Sequence, residues 1–258
     1  MIAYACEAPL SLMEYIKKNT DYDYALVHLF EENPEYFSFF KKSLSEGREV
    51  ILDNSVFELG DHFDEELYKK WILELKPTYF IIPDRFLDKK YTVDKVREWY
   101  TWAEKNKLRC IGVLQGKNVE EFVEAYTQIE PLVDIVAISF AQKCFQDLFP
   151  MLPVDEARMY GRITVMDILE KRGIINKRKK HHLLGLALPQ ELLHYKGKNW
   201  ITSVDSSSPV LHGYLNIAFE PFGLLQKDTL KIDEIFLEKT EMNTTIKKNL
   251  EIFKGFCS

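Results

Sequence analysis

Four short apolar runs in this chain each end on a side chain that can move a proton, attack carbon or grip a planar ring. Val50-Ile51-Leu52 leads into Asp53, Phe80-Ile81-Ile82-Pro83 into Asp84, Ile111-Gly112-Val113-Leu114 into Gln115, and Ile201-Thr202-Ser203-Val204 into Asp205. Carboxylates gathered at one place cannot all ionise at their ordinary pKa, which is how one becomes an acid/base while another stays a nucleophile. The plainer reading of any single one is a helix cap, because Asp is a favoured residue there. The joint pattern, with every group directly after an apolar run, is less easily explained by capping.

The elements that must position these groups follow from periodicity. Candidate strands are Ile2–Cys6, Ala25–Phe30, Glu49–Asp53, Tyr79–Pro83, Arg109–Gln115, Asp134–Phe140, His182–Leu186 and Trp200–Asp205. Amphipathic stretches separate them: Asp64–Leu75, Thr92–Asn106 and Val119–Ile129 each gather their apolar residues on one face. Thr92 and Asn118 are expected N-caps. Asp155–Lys180 reads as one or two helices, Gly213–Phe222 as extended segment or loop, and Lys239–Phe256 as a helix with Ile246, Leu250 and Phe253 inward. This alternation predicts an α/β fold. Eight strands close a parallel (β/α)8 TIM-type barrel, whereas the GxGxxG loop of a dinucleotide-binding open sheet is absent. In such a barrel, residues at the carboxyl ends of strands do the chemistry. One domain spanning residues 1–258 is expected, since about 250 residues suffice for a barrel.

The net charge is −6, with 46% hydrophobic and 29% charged residues. Bulk charge does not advertise a nucleic-acid binder, so such a partner would need a local basic patch. The one dense patch is Lys171, Arg172, Lys177, Arg178, Lys179 and Lys180. It suits phosphate contacts, although a run preceding a strand starts on the face away from the expected site unless its loop wraps round. Ser206-Ser207-Ser208 could meet a phosphate at a helix N-terminus. His28 with Glu31 and Glu32 lacks metal-site spacing, and His181 and His182, being adjacent in a strand, should point to opposite faces. Cys6, Cys110, Cys144 and Cys257 are scattered without CxxC spacing and read as reduced thiols. Met1–Glu7 lacks the pattern of a signal peptide, and no apolar run has the length of a membrane span. A cytoplasmic location without membrane association is expected, in the host cytoplasm if a phage encodes the chain.

At the strand-end residues the chain resembles the queuine/archaeosine tRNA-guanine transglycosylases and their shorter phage relatives that modify DNA. Leu52-Asp53-Asn54-Ser55-Val56-Phe57-Glu58 resembles the family's Asp-Ser-Gly-Gly-Phe-Gln stretch, whose Asp is the general acid/base. Ile111-Gly112-Val113-Leu114-Gln115-Gly116 is similar to its Val-Gln-Gly-Gly, whose Gln contacts the base. His181 to Leu192 resembles the Leu-Met-Gly-Val-Gly-x-Pro-Glu-Asp-Leu stretch lining the base pocket, with Leu184-Gly185 as the wall. Val204-Asp205-Ser206-Ser207-Ser208-Pro209 resembles the Phe-Asp-Cys-x-x-Pro stretch that carries the nucleophile. Asp84, by its position between the first two motifs, matches the Asp that reads the purine's Watson–Crick edge. The segments keep their order over roughly residues 50–215.

The resemblance implies base exchange: Asp205 attacks the anomeric carbon, Asp53 handles the protons, Asp84, Gln115 and Gly116 hold the purine, and a free 7-deazaguanine replaces guanine. The target nucleotide must leave its stack, and Phe57, Phe86 and Phe140 are candidates to stack against it, core packing being the plainer role of each. Ser55-Val56 stands where the family has Gly-Gly. The family's cluster of zinc-binding cysteines and its Arg-rich tail after the nucleophile are missing, so no zinc or other cofactor is expected and DNA is favoured over tRNA. The alternatives are a tRNA enzyme, a non-catalytic nucleic-acid-binding barrel subunit, and an unrelated barrel hydrolase of a phosphorylated metabolite, the last favoured if the basic run lies far from the pocket. Oligomeric state is not legible.

Overall fold

The computed structural model of the protein describes residues 1–258, the side chain of residue 61 excepted. Along the chain run β1 (Ala3–Ala5), α1 (Met13–Asn19), β2 (Asp23–Leu26), α2 (Pro34–Ser45), β3 (Val50–Asp53), the short α3 (Val56–Leu59), α4 (Glu65–Leu75) and β4 (Tyr79–Ile81). Then come α5 (Lys89–Asn106), β5 (Cys110–Leu114), α6 (Val119–Ile129), β6 (Ile135–Ser139), α7 (Lys143–Leu148), α8 (Val154–Lys171) and β7 (Lys180–Leu184). The last elements are β8 (Ile201–Asp205), α9 (Ser208–Tyr214), α10 (Ile232–Ile235) and α11 (Thr244–Cys257). The strands are parallel and hydrogen-bond in the order β1-β8-β7-β6-β5-β4-β3-β2, with helices between them. This is an α/β fold of the (β/α)8 TIM-barrel type, as the alternation predicts.

Local chemistry explains where elements begin and end. Parallel strands covered on both faces read as continuous apolar runs, and every residue of β5 and β6 is buried. Helices start on side chains that accept the first unpaired N–H groups: Asp64 for α4, Asp88 for α5, Asn118 for α6 and Asn243 for α11. Thr92 is not a cap. It lies one turn inside α5, is buried, and takes the Arg85 N–H on its hydroxyl at 3.1 Å. Lys76 and Lys107 end α4 and α5 in the left-handed region, each at φ 55°. Lys171 is the last residue of α8, and Gly173 at φ 70° turns the chain toward β7, so the expected helix to Lys180 stops nine residues early. Gly213 belongs to α9, and the segment after it closes on an isolated Glu220–Gly223 bridge.

Two compact units divide the contacts: residues 22–137, and residues 1–21 with 138–258, the boundary falling inside β6. In the first, Trp99 packs against Tyr68, Phe80 and Trp102 with ring centroids 5.4–5.9 Å apart. In the second, Phe253 of α11 meets Tyr4 of β1 at 5.6 Å, and Ile246, Leu250 and Phe253 are buried as their spacing predicts. No helix among the described residues is long and apolar enough to cross a membrane.

Candidate active site

In residues 22–137 the ends of β3, β4 and β5 carry a hydrogen-bonded chain of carboxamides and a carboxylate. Asn54 Nδ2 donates to Asp84 Oδ1 at 3.2 Å and to the Ile82 carbonyl at 3.0 Å. Gln115 Nε2 donates to Asp84 Oδ2 at 2.6 Å, while Gln115 Oε1 accepts the Leu87 N–H at 3.3 Å. Both oxygens of Asp84 are therefore engaged by amides that are themselves buried. Loss of hydration pushes the Asp84 carboxyl above the usual carboxylate range, and the hydrogen bonds from Gln115 and Asn54 pull partly back. Asp53, the last residue of β3, accepts the Ser55 N–H on Oδ1 at 2.6 Å and the Tyr24 hydroxyl on Oδ2.

Ser55 makes that turn possible at a conformational cost. It is fully buried with φ 54°, a left-handed conformation that costs most residues roughly 1–2 kcal/mol relative to glycine. The backbone here thus takes a glycine-like turn although neither Ser55 nor Val56 is glycine. Gly116, expected to meet a base, has a packing role: a Cβ on it would lie 3.0–3.2 Å from Glu121 and Phe122 of α6. Phe57 and Phe86 are 57% and 38% exposed and stand edge to face at 6.1 Å, so neither is consumed by the core. Behind the chain, the buried Tyr68 hydroxyl lies 2.8 Å from the Ile81 carbonyl and 3.2 Å from that of Leu52.

In the other unit, Asp205 closes β8 and is only 2% exposed. His182 Nε2 lies 2.9 Å from Oδ1, and the Gly185 N–H reaches Oδ1 at 3.0 Å and Oδ2 at 3.2 Å. The second ring nitrogen of His182 is 3.0 Å from Ser203 Oγ. His181 instead contacts the Lys179 and Trp200 carbonyls, so the adjacent histidines do serve different faces of β7. Gly185 is needed for its φ of 65°, not for space, since a Cβ there would meet nothing closer than Phe140 Cβ at 3.9 Å.

The Gly185 turn is itself clamped by a buried ion pair. Arg162 of α8 and Glu191 are both fully buried and bidentate, Nε to Oε1 at 2.7 Å and Nη2 to Oε2 at 2.8 Å. Arg162 Nη1 meets the carbonyls of Ile138, Leu184 and Gly185 at 3.0–3.2 Å. Burial alone would weaken the guanidinium's hold on its proton, but the Glu191 carboxylate outweighs it and the pKa is raised. Phe140, a stacking candidate in the sequence, is buried with its ring 5.1 Å from the Arg162 guanidinium. Ser206 and Ser208 donate to the Leu186 and Ala187 carbonyls at 2.6 and 3.1 Å, so these hydroxyls stitch the β8 turn to the segment after β7.

Capping does not account for the strand-end acids. Asp53 is followed by Ser55 at the start of α3, Asp84 by Asp88 at the start of α5, Gln115 by Asn118 at α6, and Asp205 by Ser207 at α9. The chain brings Asp84 and Gln115 together, and Asp205 together with Gly185 next to Leu184. It does not bring the basic run to Asp205. Lys171 ends α8, Lys180 opens β7, and Asp205 is bonded near the opposite end of that strand, roughly 13 Å on at 3.3 Å per residue. Within that run, Lys177 pairs with Glu170 at 2.8 Å. His212 is structural: its Nε2 accepts the Asp228 N–H at 3.2 Å, so Nδ1 carries the proton to the Ser208 carbonyl at 2.9 Å.

His182, Arg162 and Glu191 were not singled out in the sequence as site residues. Strand alternation was the available signal for the first, since His182 and Leu184 share one face of β7 as Ser203 and Asp205 share one face of β8. For Arg162 the signal was a charge at a buried position of α8, between Met159 and Ile163. Among the described residues no three His, Cys, Asp or Glu side chains group as a metal ion would require. Compared with protein-family models and with curated proteins, the chain matches none.

Proposed function

We propose that this chain is a base-exchange transglycosylase that replaces guanine in a nucleic acid, DNA in preference to tRNA, by a 7-deazaguanine. The observation that carries this reading is the setting of Asp205. It is a carboxylate at the carboxyl end of a barrel strand with Oδ1 engaged by two donors and Oδ2 left the longer share of one N–H. A group so held is fixed in orientation, and Oδ2 is the oxygen able to attack. Its lone pair would form the bond to C1′ of the target nucleotide as the electrons of the C1′–N bond leave with guanine. Asp53 would supply the proton that guanine takes up. In the second half it would remove the proton of the incoming base, whose nitrogen displaces Oδ2 from C1′. Two inversions give retention, the logic of a retaining glycosidase.

Asp84 and Gln115 support the purine assignment. A carboxylate and a carboxamide pre-set by their own hydrogen bonds offer acceptor and donor to the edge of a flat heterocycle. The exposed Phe57–Phe86 pair offers an aromatic surface for a base drawn out of its stack. No cofactor enters the scheme. The sequence resemblance to the transglycosylases supports the same roles for the same residues.

One observation favours a second reading. The basic run sits at the amino end of β7, away from Asp205, which removes the expected phosphate grip of a polymer and favours a barrel hydrolase of a small phosphorylated metabolite. Incubation with radiolabelled guanine or a 7-deazaguanine, and either DNA or tRNA, separates the two. Label entering one polymer, and lost in Asp205→Ala together with any covalent adduct, is the expected result. Full incorporation by Asp205→Ala removes the mechanism, and label entering neither polymer moves the assignment to the non-catalytic nucleic-acid-binding barrel or the hydrolase.

A further inference from the structure

We infer that His182 is a positioning residue that acts through Asp205 and sets the lifetime of the covalent glycosyl ester; the inference rests on the exchange reaction proposed above. His182 is fully buried in β7, and the contacts of both ring nitrogens fix the ring's orientation. Nδ1 faces Ser203 Oγ at 3.0 Å and Nε2 faces Asp205 Oδ1 at 2.9 Å. An ionised carboxylate has no proton to give, so Nε2 must be the donor in that contact. Ser203 and Asp205 alternate along β8, and Ser203 is the register partner of His182. The strand pairing that builds the barrel therefore also aims the ring.

The two states of Asp205 value that donor differently. Before attack, Oδ1 shares the negative charge of a carboxylate. After Oδ2 has bonded to C1′, Oδ1 is the carbonyl oxygen of a neutral ester. A hydrogen bond to a charged acceptor is roughly twice as strong as one to a neutral acceptor. The His182 and Gly185 donors thus favour the carboxylate over the ester. They restrain the attack and assist the second displacement, in which the electrons of the C1′–Oδ2 bond return to Oδ2 and the charge on Oδ1 is restored. Loss of one donor shifts the balance toward the ester by about tenfold, the difference between a charged and a neutral hydrogen bond. The Gly185 N–H is a backbone donor that other side chains leave in place and that proline cannot replace at φ 65°, which leaves His182 as the side chain through which this balance is set.

The test uses the whole chain with a 5′-labelled, guanine-containing single-stranded DNA oligonucleotide and, separately, a tRNA transcript. Adduct is trapped on a denaturing gel without added base, and its decay is followed after free guanine is added. His182→Leu is expected to lengthen the adduct lifetime about tenfold while adduct forms at least as fast as in the wild type. His182→Gln, whose amide can still donate, is expected to restore most of the lifetime. Should His182→Leu fail to fold, judged by circular dichroism, Ser203→Ala releases the same ring and is expected to move the lifetime in the same direction by less. Formation and decay slowed by equal factors in a folded variant, or a lifetime unmoved in His182→Leu while the wild type forms adduct, overturns this inference alone. Absence of adduct from the wild type on both polymers overturns the exchange reaction and this inference with it.

Discussion

Removing the guanidinium of Arg162 tests whether the turn that holds Asp205 depends on a buried ion pair. In Arg162→Met the Glu191 carboxylate keeps only the Tyr195 hydroxyl, at 3.1 Å, inside a site where both charged partners are fully buried. An uncompensated charge of that kind destabilises by about 3–5 kcal/mol. Three carbonyls lose the same donor, although Leu184 retains the Phe140 N–H at 2.9 Å. At about 2–4 °C per kcal/mol for a chain of this size, the melting temperature should fall by roughly 6–20 °C. Arg162→Met with Glu191→Leu removes both charges. It should recover most of the loss, short of the about 1–3 kcal/mol for a carbonyl left without a partner. Urea unfolding of the wild type, the two single variants and the double variant closes the cycle. A single variant within about 1 kcal/mol of wild type, or a double variant as unstable as the sum of the singles, refutes the ion-pair account.

Three further outcomes follow from single groups. Lys107→Gly, at an exposed left-handed position ending α5, should raise the unfolding free energy by about 1 kcal/mol, and a loss in thermal unfolding would contradict the conformational argument. The Glu170 carboxyl is brought down to about 2 by hydrogen bonds from Lys177 and Lys198. A depressed acid stabilises the fold fully above its unfolded pKa, roughly 4.3, and loses that contribution as pH falls toward 2. With Lys177 64% exposed, screening reduces the effect to about 1 kcal/mol or less, so Glu170→Gln should be less stable at pH 7 by that amount and indistinguishable near pH 2; an equal deficit at both pH values would contradict it. Gln115→Leu removes the stronger restraint on Asp84, whose carboxyl should then titrate still higher. The 13C shift of the Asp84 carboxyl reads this directly, and a titration that stays put or moves down would show that the Gln115 hydrogen bond does not hold the group down.

How far the sequence reaches depends on whether a feature is set by local chemistry or by partners distant in the chain. The eight strands were legible because each is a short buried apolar run bounded by polar residues, and all eight begin within two residues of where the pattern puts them, β7 starting at Lys180 instead of His182. The exception in shape is Ala25–Phe30: β2 covers Asp23–Leu26, and Val27–Leu29 turn into a tight helical segment that an apolar run cannot distinguish from strand. The strand-end acids were legible by the same rule. What holds them was not. Arg162 and Glu191 lie 29 residues apart, His182 and Asp205 23 apart, and Gln115 and Asp84 31 apart. No window of local periodicity spans such a pair.

The basic run shows the converse, a local signal whose meaning is decided by topology. Six positive residues between 171 and 180 satisfy the composition of a phosphate site, but a segment entering a parallel strand arrives at its amino end, while the chemistry of the barrel is built where strands leave. Glu170 then accounts for part of the charge, pairing with Lys177 of the run as well as with Lys198 outside it. A polymer bound at the Asp205 end would have to find its cations elsewhere. If the exchange reaction holds, substituting Lys179 and Lys180 with Ala should leave the rate of adduct formation and its dependence on salt unchanged. A loss of salt dependence in that variant would mean that the polymer reaches round to the amino end of β7, and that the site extends well beyond the strand ends that carry the chemistry.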